Sequence, residues 1–389
     1  MRDNLTHFPV NWINGMKINK DHFIAQDDGW KDALNDIAAL NLSSIRYGVL
    51  PPSVSGADTF NIKTTLDNQN TLRVAVLSCN AITAGGVRII LPAMSASGQA
   101  DTDGVPATSF QFKPSAGDAT WCIILTVNPF EKKPAGSPDM EDSPPRYPYV
   151  LPTYTVEVVS ENQFSQFLNN PYALTIGKIL ANGNEVKADL DYIPPCFSIT
   201  AHPDLVALHA EIDQFLGNLE TRSSQIVQKI FKKNQQNDIS ELVMFLCDRV
   251  MLFLGHTITN MRWTIIHDSP AALFAVIASL ARVMKNSIDL RTGSGKDEMM
   301  NYLVEWCELK QGELETLLSS IANLRYDNND INRNIEKVIS FAKITSKLFD
   351  TLSKLEFIGK RRDTGIFVKE ETNNSATEAQ TKNRRRFFG

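Results

Sequence analysis

Histidine and cysteine are the side chains of this chain best suited to acid–base, nucleophilic or metal chemistry near neutral pH, and their spacing limits what they can do. His202 and His209 stand seven residues apart on one face of a helix-periodic stretch, but no Asp or Glu stands between them at the three- or four-residue spacing of a facial metal site. His22 has no cysteine and no second histidine within ligand spacing, so it reads as packed or hydrogen-bonded; His256 and His267 flank Arg262-Trp263 and read the same way. The five cysteines, Cys79, Cys122, Cys196, Cys247 and Cys307, are scattered and odd in number, with apolar neighbours such as Trp121 and Ile123. They read as reduced, buried residues of a cytoplasmic protein. Arg291-Thr292-Gly293-Ser294-Gly295-Lys296 invites a phosphate-loop reading and fails it, because Leu290 stands where the first glycine belongs and Asp297 where a Ser/Thr would hold Mg²⁺. No Gly-x-Ser-x-Gly elbow occurs. The expected work is therefore binding, with no enzyme activity, cofactor or metal.

The binding residues that stand out lie near the start, in Trp12-Ile13-Asn14-Gly15-Met16-Lys17-Ile18-Asn19-Lys20-Asp21-His22-Phe23. Trp12, Met16 and Phe23 are large apolar groups that gain from burial, and Gly15 permits a turn, so the segment reads as an anchor. Tyr147 and Tyr149, and with them Tyr154, are further contact candidates beside a proline-rich stretch from Phe130 to Pro152, expected to be an extended surface loop.

These residues need scaffolding. The 389 residues, 43% hydrophobic, exceed one ordinary core and predict two or three domains. Net charge is 39 − 44 = −5, which points away from nucleic acid and anionic membranes. The balance is uneven: residues 359–389 carry eight Lys/Arg and four Asp/Glu, so this tail is +4 and the remainder −9. The start shows no apolar signal region, and no uninterrupted apolar run reaches the ~18–20 residues of a membrane helix, so a soluble protein is expected.

From about Asn41 to Ile199 short β-rich runs alternate with turn residues; Leu72–Leu77, Val87–Leu91, Trp121–Val127 and Tyr154–Val159 are the clearest strands, and Tyr172–Leu180 with Val186 reads as a closing hairpin. After Pro194-Pro195 the period becomes helical. Leu205, Leu208, Ile212, Phe215 and Leu219 follow one another at three and four residues, and Ile335 and Val338 belong to a second such stripe from Asn329 onward. Between them, helices are expected from Asn237-Asp238, from Ser269-Pro270 and over about Asp297 to Leu324. The first of these is apolar on much of its surface, as expected for a buried helix. The expected class is α+β: an antiparallel β-sandwich (1–196), an antiparallel helical bundle (197–358) and a short disordered tail (359–389). The two stripes either face each other within one chain or face further copies of it. In the tail, Arg384-Arg385-Arg386-Phe387-Phe388 pairs charge with aromatics as a docking motif would.

A second distinctive segment, Asp191-Tyr192-Ile193-Pro194-Pro195-Cys196-Phe197-Ser198-Ile199-Thr200-Ala201-His202-Pro203-Asp204-Leu205, lies where sheet gives way to helix. Together with Trp12-x-x-Gly15-Met16-x-Ile18-x-x-x-His22-Phe23 it resembles the TssK family, baseplate subunits of bacterial type VI secretion systems, from about Trp12 to Leu355. The resemblance implies a cytoplasmic homotrimer assembled at the inner face of the inner membrane. Its N-terminal shoulder would hold the wedge proteins TssF and TssG, and a helical neck would lead toward the membrane complex of TssJ, TssL and TssM. Such members carry a folded C-terminal head of about a hundred residues; here about 30 polar residues follow Phe357, too few for a core. The resemblance therefore implies a divergent member, of the kind found in Bacteroidetes, in which the basic tail replaces the head. A phage-like tail adaptor or receptor-binding protein with a similar shoulder is the alternative reading, and a hydrolase with an unrecognised site in the β domain a third.

Overall fold

The computed structural model describes residues 5–53, 59–92, 105–112, 118–182, 185–290, 293, 295–307 and 312–359. In chain order the elements are α1 (Lys20–Ala39), β1 (Gly48–Val49), β2 (Phe60–Leu66), β3 (Thr71–Ile82), β4 (Arg88–Leu91), β5 (Ala107–Gln111), β6 (Asp118–Ala135), β7 (Tyr149–Ser160), α2 (Glu161–Leu168), β8 (Ala173–Asn182) and β9 (Glu185–Ala188). Then follow α3 (Pro203–Lys232), α4 (Asp238–Trp263), α5 (Pro270–Asp289), α6 (Lys296–Cys307), α7 (Glu313–Ala322) and α8 (Ile331–Lys354). The class is α+β, with antiparallel sheets first and helices after them. The chain divides into two compact units. The first holds Met1–Pro203 together with two later segments, His267–Ala271 and Tyr326–Asn332; the second holds the rest of the helical region.

In the first unit β3 carries one sheet, pairing with β1, β2, β4 and β5, and the second sheet runs β7-β6-β8-β9. Alternation along the strands turns one apolar face of each sheet toward the other sheet. On β3 the inward residues are Leu72, Val74 and Val76, then Cys79 and Ala81; the phase slips at a bulge where Asn61 pairs with Ser78 but Ile62 with Val76. They share one core with Ile123, Leu125, Val127, Leu174, Ile176 and Ile179 of the other sheet, which makes the unit a sandwich. β6 is apolar on both faces because α2 covers its outer side, where Cys122 and Ile124 meet Phe164 and Phe167.

Asp191–Thr200 closes this unit. Val49 N–H donates to the Pro195 carbonyl at 2.8 Å and Phe197 N–H to the Val49 carbonyl at 2.9 Å. The Tyr192 hydroxyl donates to the Asn329 carbonyl at 3.0 Å, and the Asn332 side-chain amide donates to the Asp191 carbonyl at 2.6 Å. Burial pushes the Tyr192 phenol well above its ordinary pKa. Cys79, Cys122, Cys196 and Cys247 are free, buried thiols; burial raises all four, Cys79 and Cys247 to about 12 and Cys122 to about 11.

In the second unit both helical stripes are consumed within the chain. Leu205, Leu208 and Ile212 are fully buried, Phe215 and Leu219 nearly so, and Ile335 and Val338 likewise. Phe215 of α3 meets Phe341 of α8 edge-on at 6.3 Å, and Arg222 pairs with Asp350 at 3.0 Å. Of the two arrangements that the sequence leaves open, this is the one in which the stripes face each other within one chain. Three expectations change. The helix expected over Asp297 to Leu324 is two, α6 and α7, with Gly312 at φ +77° before the second. α4 is buried along one face only, leaving Leu252 and Trp263 exposed. By length and composition α4 and α5 could each cross a membrane, which an uninterrupted apolar run does not detect because scattered polar residues break it. α5 nevertheless buries Leu273, Phe274, Ile277, Leu280 and Met284 in its own unit.

Gly48 gives the fold a direct test. It sits at φ +119°, and a Cβ there would lie 1.9 Å from the Pro195 carbonyl oxygen. Gly48→Ala is expected to cost about 3 kcal/mol or more, read by denaturant melts; an unchanged midpoint would contradict the closure of Asp191–Thr200 on β1.

Candidate protein-docking surface

An amphipathic helix on a globular protein normally turns its apolar stripe inward. α1 does the reverse. Its buried residues are Asp28, Gly29, Asp32 and Ala39, while Phe23, Trp30, Leu34 and Ile37 are each 60–64% exposed. The helix starts on a capping box: Asn19 Oδ1 accepts from His22 N–H at 3.1 Å, and His22 Nδ1 accepts from Asn19 N–H at 3.2 Å. This is the hydrogen-bonded histidine expected from the sequence, and it orients the first turn.

The polar face has three partners, all in the first unit. Thr6 and His7 lie across it, their N–H groups donating to Asp32 Oδ2 at 2.7 and 2.9 Å, with the Thr6 hydroxyl joining at 3.1 Å. The same segment crosses at Gly29, where a Cβ would come within 2.9 Å of the Phe8 backbone. The third partner is a bulge in β6. Asn128 pairs with Thr153 but Lys132 with Pro152, so Pro129, Phe130 and Glu131 stand out of the ladder, as a proline without an N–H favours. The Pro129 carbonyl accepts from Lys31 Nζ at 3.2 Å, and Phe130 stacks on His7 at 3.9 Å. Lys132 reaches Asp28 at 2.7 Å and Asp27 at 3.3 Å. Burial lowers the Lys132 pKa, but the hydrogen bonds and charges of Asp28 and Asp27 outweigh it and leave the pKa above the usual lysine value.

The anchor segment is not packed into its own chain. Trp12 is 46% exposed, Ile13, Ile18 and Phe23 more so, and Met16 is half-buried. Gly15 makes its turn at φ +79°. Trp12 donates from Nε1 to Gln26 Oε1 at 3.2 Å and lies 6.1 Å from the His22 ring and 6.3 Å from the Phe23 ring. The structure thus brings Trp12, His22 and Phe23 together at the head of α1.

Tyr147 and Tyr149 lie elsewhere on the unit's surface. The expected loop is largely an arm: β6 runs on to Ala135, which pairs with Tyr149, and Asp139 and Arg146 form a bridge near its tip. Tyr147 and Tyr149 are 49% and 54% exposed on this arm, whereas Tyr154 points inward and its hydroxyl accepts from Ile90 N–H at 3.4 Å. His209 is buried with Nε2 2.8 Å from the Met261 carbonyl oxygen. Lys296 of the glycine-rich connection pairs with Asp289 at 2.9 Å and Glu315 at 2.8 Å, a link between helices. Among the described residues no group of three His, Cys, Asp or Glu is placed to hold a metal ion. Arg384, Arg385, Arg386, Phe387 and Phe388 lie outside the described residues.

No family model matches the chain, and no curated protein does. Among solved structures it is similar to a crystal structure of TssK, at 16% identity and a TM-score of 0.45 over 88% of this chain and 69% of that one. It is similar to TssK from the EAEC type VI secretion system in complex with a nanobody, at 12% identity and 0.44, over 84% and 99%. It is also similar to a chain of a type VI TssK-TssF-TssG baseplate subcomplex, at 11% identity and 0.45, over 88% and 99%.

Trp30, Leu34 and Ile37, with the buried Asp28 and Asp32, were not singled out from the sequence. The available signal was the spacing Phe23, Asp27, Trp30, Leu34, Ile37, which runs four, three, four, three behind the cap residues Asn19 and His22. Asp32→Ala removes three hydrogen bonds to a buried carboxylate, about 3 kcal/mol or more locally. Amide exchange at residues 6–10 is expected to quicken on the order of a hundredfold; unchanged protection there would contradict the clamp.

Proposed function

We propose that this chain is a non-enzymatic assembly subunit of a type VI secretion baseplate, with its first unit gripping wedge proteins of the TssF and TssG kind. The observation that carries this reading is the exposed, inside-out surface of Trp12 to Ile37, because a folded chain keeps so much ordered apolar surface in water only where something else covers it. Two sequence features support it: the paired segments Trp12–Phe23 and Asp191–Leu205, and the order of sandwich followed by helices. The chain is proposed to work as a homotrimer in the cytoplasm, at the inner face of the inner membrane, as the resemblance implies. With the helical stripes spent in cis, trimer contacts are assigned to other surfaces, the exposed face of α4 with Leu252 and Trp263 among them. The basic tail with Arg384–Arg386, Phe387 and Phe388 is proposed as the element that meets the membrane complex. Domain limits near 196 and 358 belong to the same proposal.

The test is co-expression of the full chain with the wedge proteins encoded beside it. Co-purification of the wild type, and a light-scattering mass near three times the 43.4 kDa of one chain, are expected. A stable monomer that recovers no wedge protein would overturn the reading. Deleting residues 360–389 is expected to leave wedge binding intact and to abolish recruitment to the membrane complex; unchanged recruitment would refute the role of the tail.

A further inference from the structure

From the last turn of α8 to Gly359 the chain is tied down at every step. Lys229 Nζ donates to the carbonyl of Ser353 and, at 2.6 Å, to that of Leu355. Lys233 pairs with Glu356 at 2.7 Å and lies 4.3 Å over the Phe357 ring. Ile358 is buried; its N–H donates to Gln235 Oε1 at 2.8 Å and its carbonyl accepts from Asn237 Nδ2 at 3.0 Å. Gly359 stands at φ +92°, and a Cβ there would collide with Asn237 Oδ1, so the backbone passes directly against the N-cap of α4. These contacts, all in the second unit, fix the point from which residues 360–389 continue.

That point is the rim of an acidic cavity. About 640 Å³ in volume, it is lined by Asp238, Glu241, Leu242, Gly295 and Glu298, with Asn237 and Gly359 at its edge. Asp238 and Glu241 come from the first turn of α4 and Glu298 from the first turn of α6. Among the described residues none of the three carboxylates has an ion pair or a side-chain hydrogen bond. Lys296, next after Gly295, is spent on Asp289 at 2.9 Å and Glu315 at 2.8 Å. The positive ends of α4 and α6 each offset roughly half a charge, which leaves the cavity at about −2.

The sequence that continues from Gly359 is Lys360-Arg361-Arg362-Asp363, three cations before the first anion. At ~3.3–3.6 Å per residue these three stay within about 10 Å of Gly359. They therefore face the cavity at an effective concentration in the millimolar range, whatever the concentration of protein. Arginine also suits the site, because its fork can take a carboxylate with two hydrogen bonds. Gln235 supplies an independent sign: Nε2 of the amide that holds Ile358 is buried and meets no acceptor among the described residues, an open donor where the chain continues. A basic segment of any other molecule would first have to displace these tethered cations.

We propose that this cavity is the seat of the chain's own Lys360-Arg361-Arg362, a charge latch that ties the root of the basic tail to the second unit. The latch does not rest on the baseplate role; it sets the place from which Arg384–Phe388 reach outward.

The test uses the full chain and a carbodiimide, which joins an amine to a carboxylate as an amide and takes up the water as a urea. Lys360 is expected to link to Asp238, Glu241 or Glu298, read by peptide mass spectrometry. The yield is expected to fall about tenfold in about 1 M NaCl, where charges are screened beyond about 3 Å. In the Glu241→Gln, Glu298→Gln chain, altered at exposed sites, trypsin is expected to cut after Arg362 about tenfold faster than in the wild type, with an unchanged denaturant melt. No link from Lys360 to these three carboxylates, a yield indifferent to salt, or equal cutting of the two chains would overturn the proposal. So would links that join light- and heavy-isotope copies in a mixed sample, which would place the basic segment on a second chain.

Discussion

Two carboxylates on one side of one helix determine which way the surface of this protein faces. Asp32 collects Thr6 and His7, and Asp28 takes Lys132 from the bulge of β6. A buried carboxylate without such partners would cost several kcal/mol, so these contacts tie the orientation of α1 to the first residues of the chain and to the sandwich at once. Once the polar side is committed inward, the helical period leaves Phe23, Trp30, Leu34 and Ile37 no choice but to face water or a partner.

The sandwich is the support for that clamp. Its own stability comes from Leu72, Val74 and Val76 meeting Ile123, Leu125 and Val127 across the two sheets. The irregularity that serves the clamp is local: Pro129 breaks the β6 ladder, Asn128 Oδ1 accepts from Phe130 and Glu131 N–H at 3.1 and 3.2 Å, and the bulge is thereby held in one shape. An uninterrupted strand would have left Phe130 and Lys132 in the alternation of the sheet, away from His7 and Asp28.

Much of the fold was legible because its period is strong. Strands with clear alternation such as Leu72–Leu77, the capped starts at Asn237 and Ser269, and the stripes of α3 and α8 all read directly from spacing. What spacing could not say is which surface a stripe meets. The α3 and α8 stripes face each other inside one chain, while the weaker α1 stripe, interrupted by Asp27, faces out. That inversion depends on Thr6, Lys132 and the Pro129 bulge, which stand up to about a hundred positions away, and nothing in the local pattern of Lys20–Ala39 encodes it. The proline-rich stretch misled for a related reason: Pro134 and Pro152 suggest loop, yet at the margin of a sheet, on strands with one free edge, they are tolerated and the arm stays paired to Ala135 and Tyr149. Cys122 by contrast, set between Trp121 and Ile123, was readable from its neighbours alone, and its side chain is buried.

The most direct measurement of the central claim is hydroxyl-radical footprinting of the full chain, free and then bound to wedge proteins, read at Phe23, Trp30, Leu34 and Ile37. Fast oxidation of all four is expected in the free protein and strong protection of the same four on assembly, with the buried Phe341 and Phe349 slow throughout. Slow oxidation of Trp30 and Leu34 in the free chain, or no change on assembly, would contradict it.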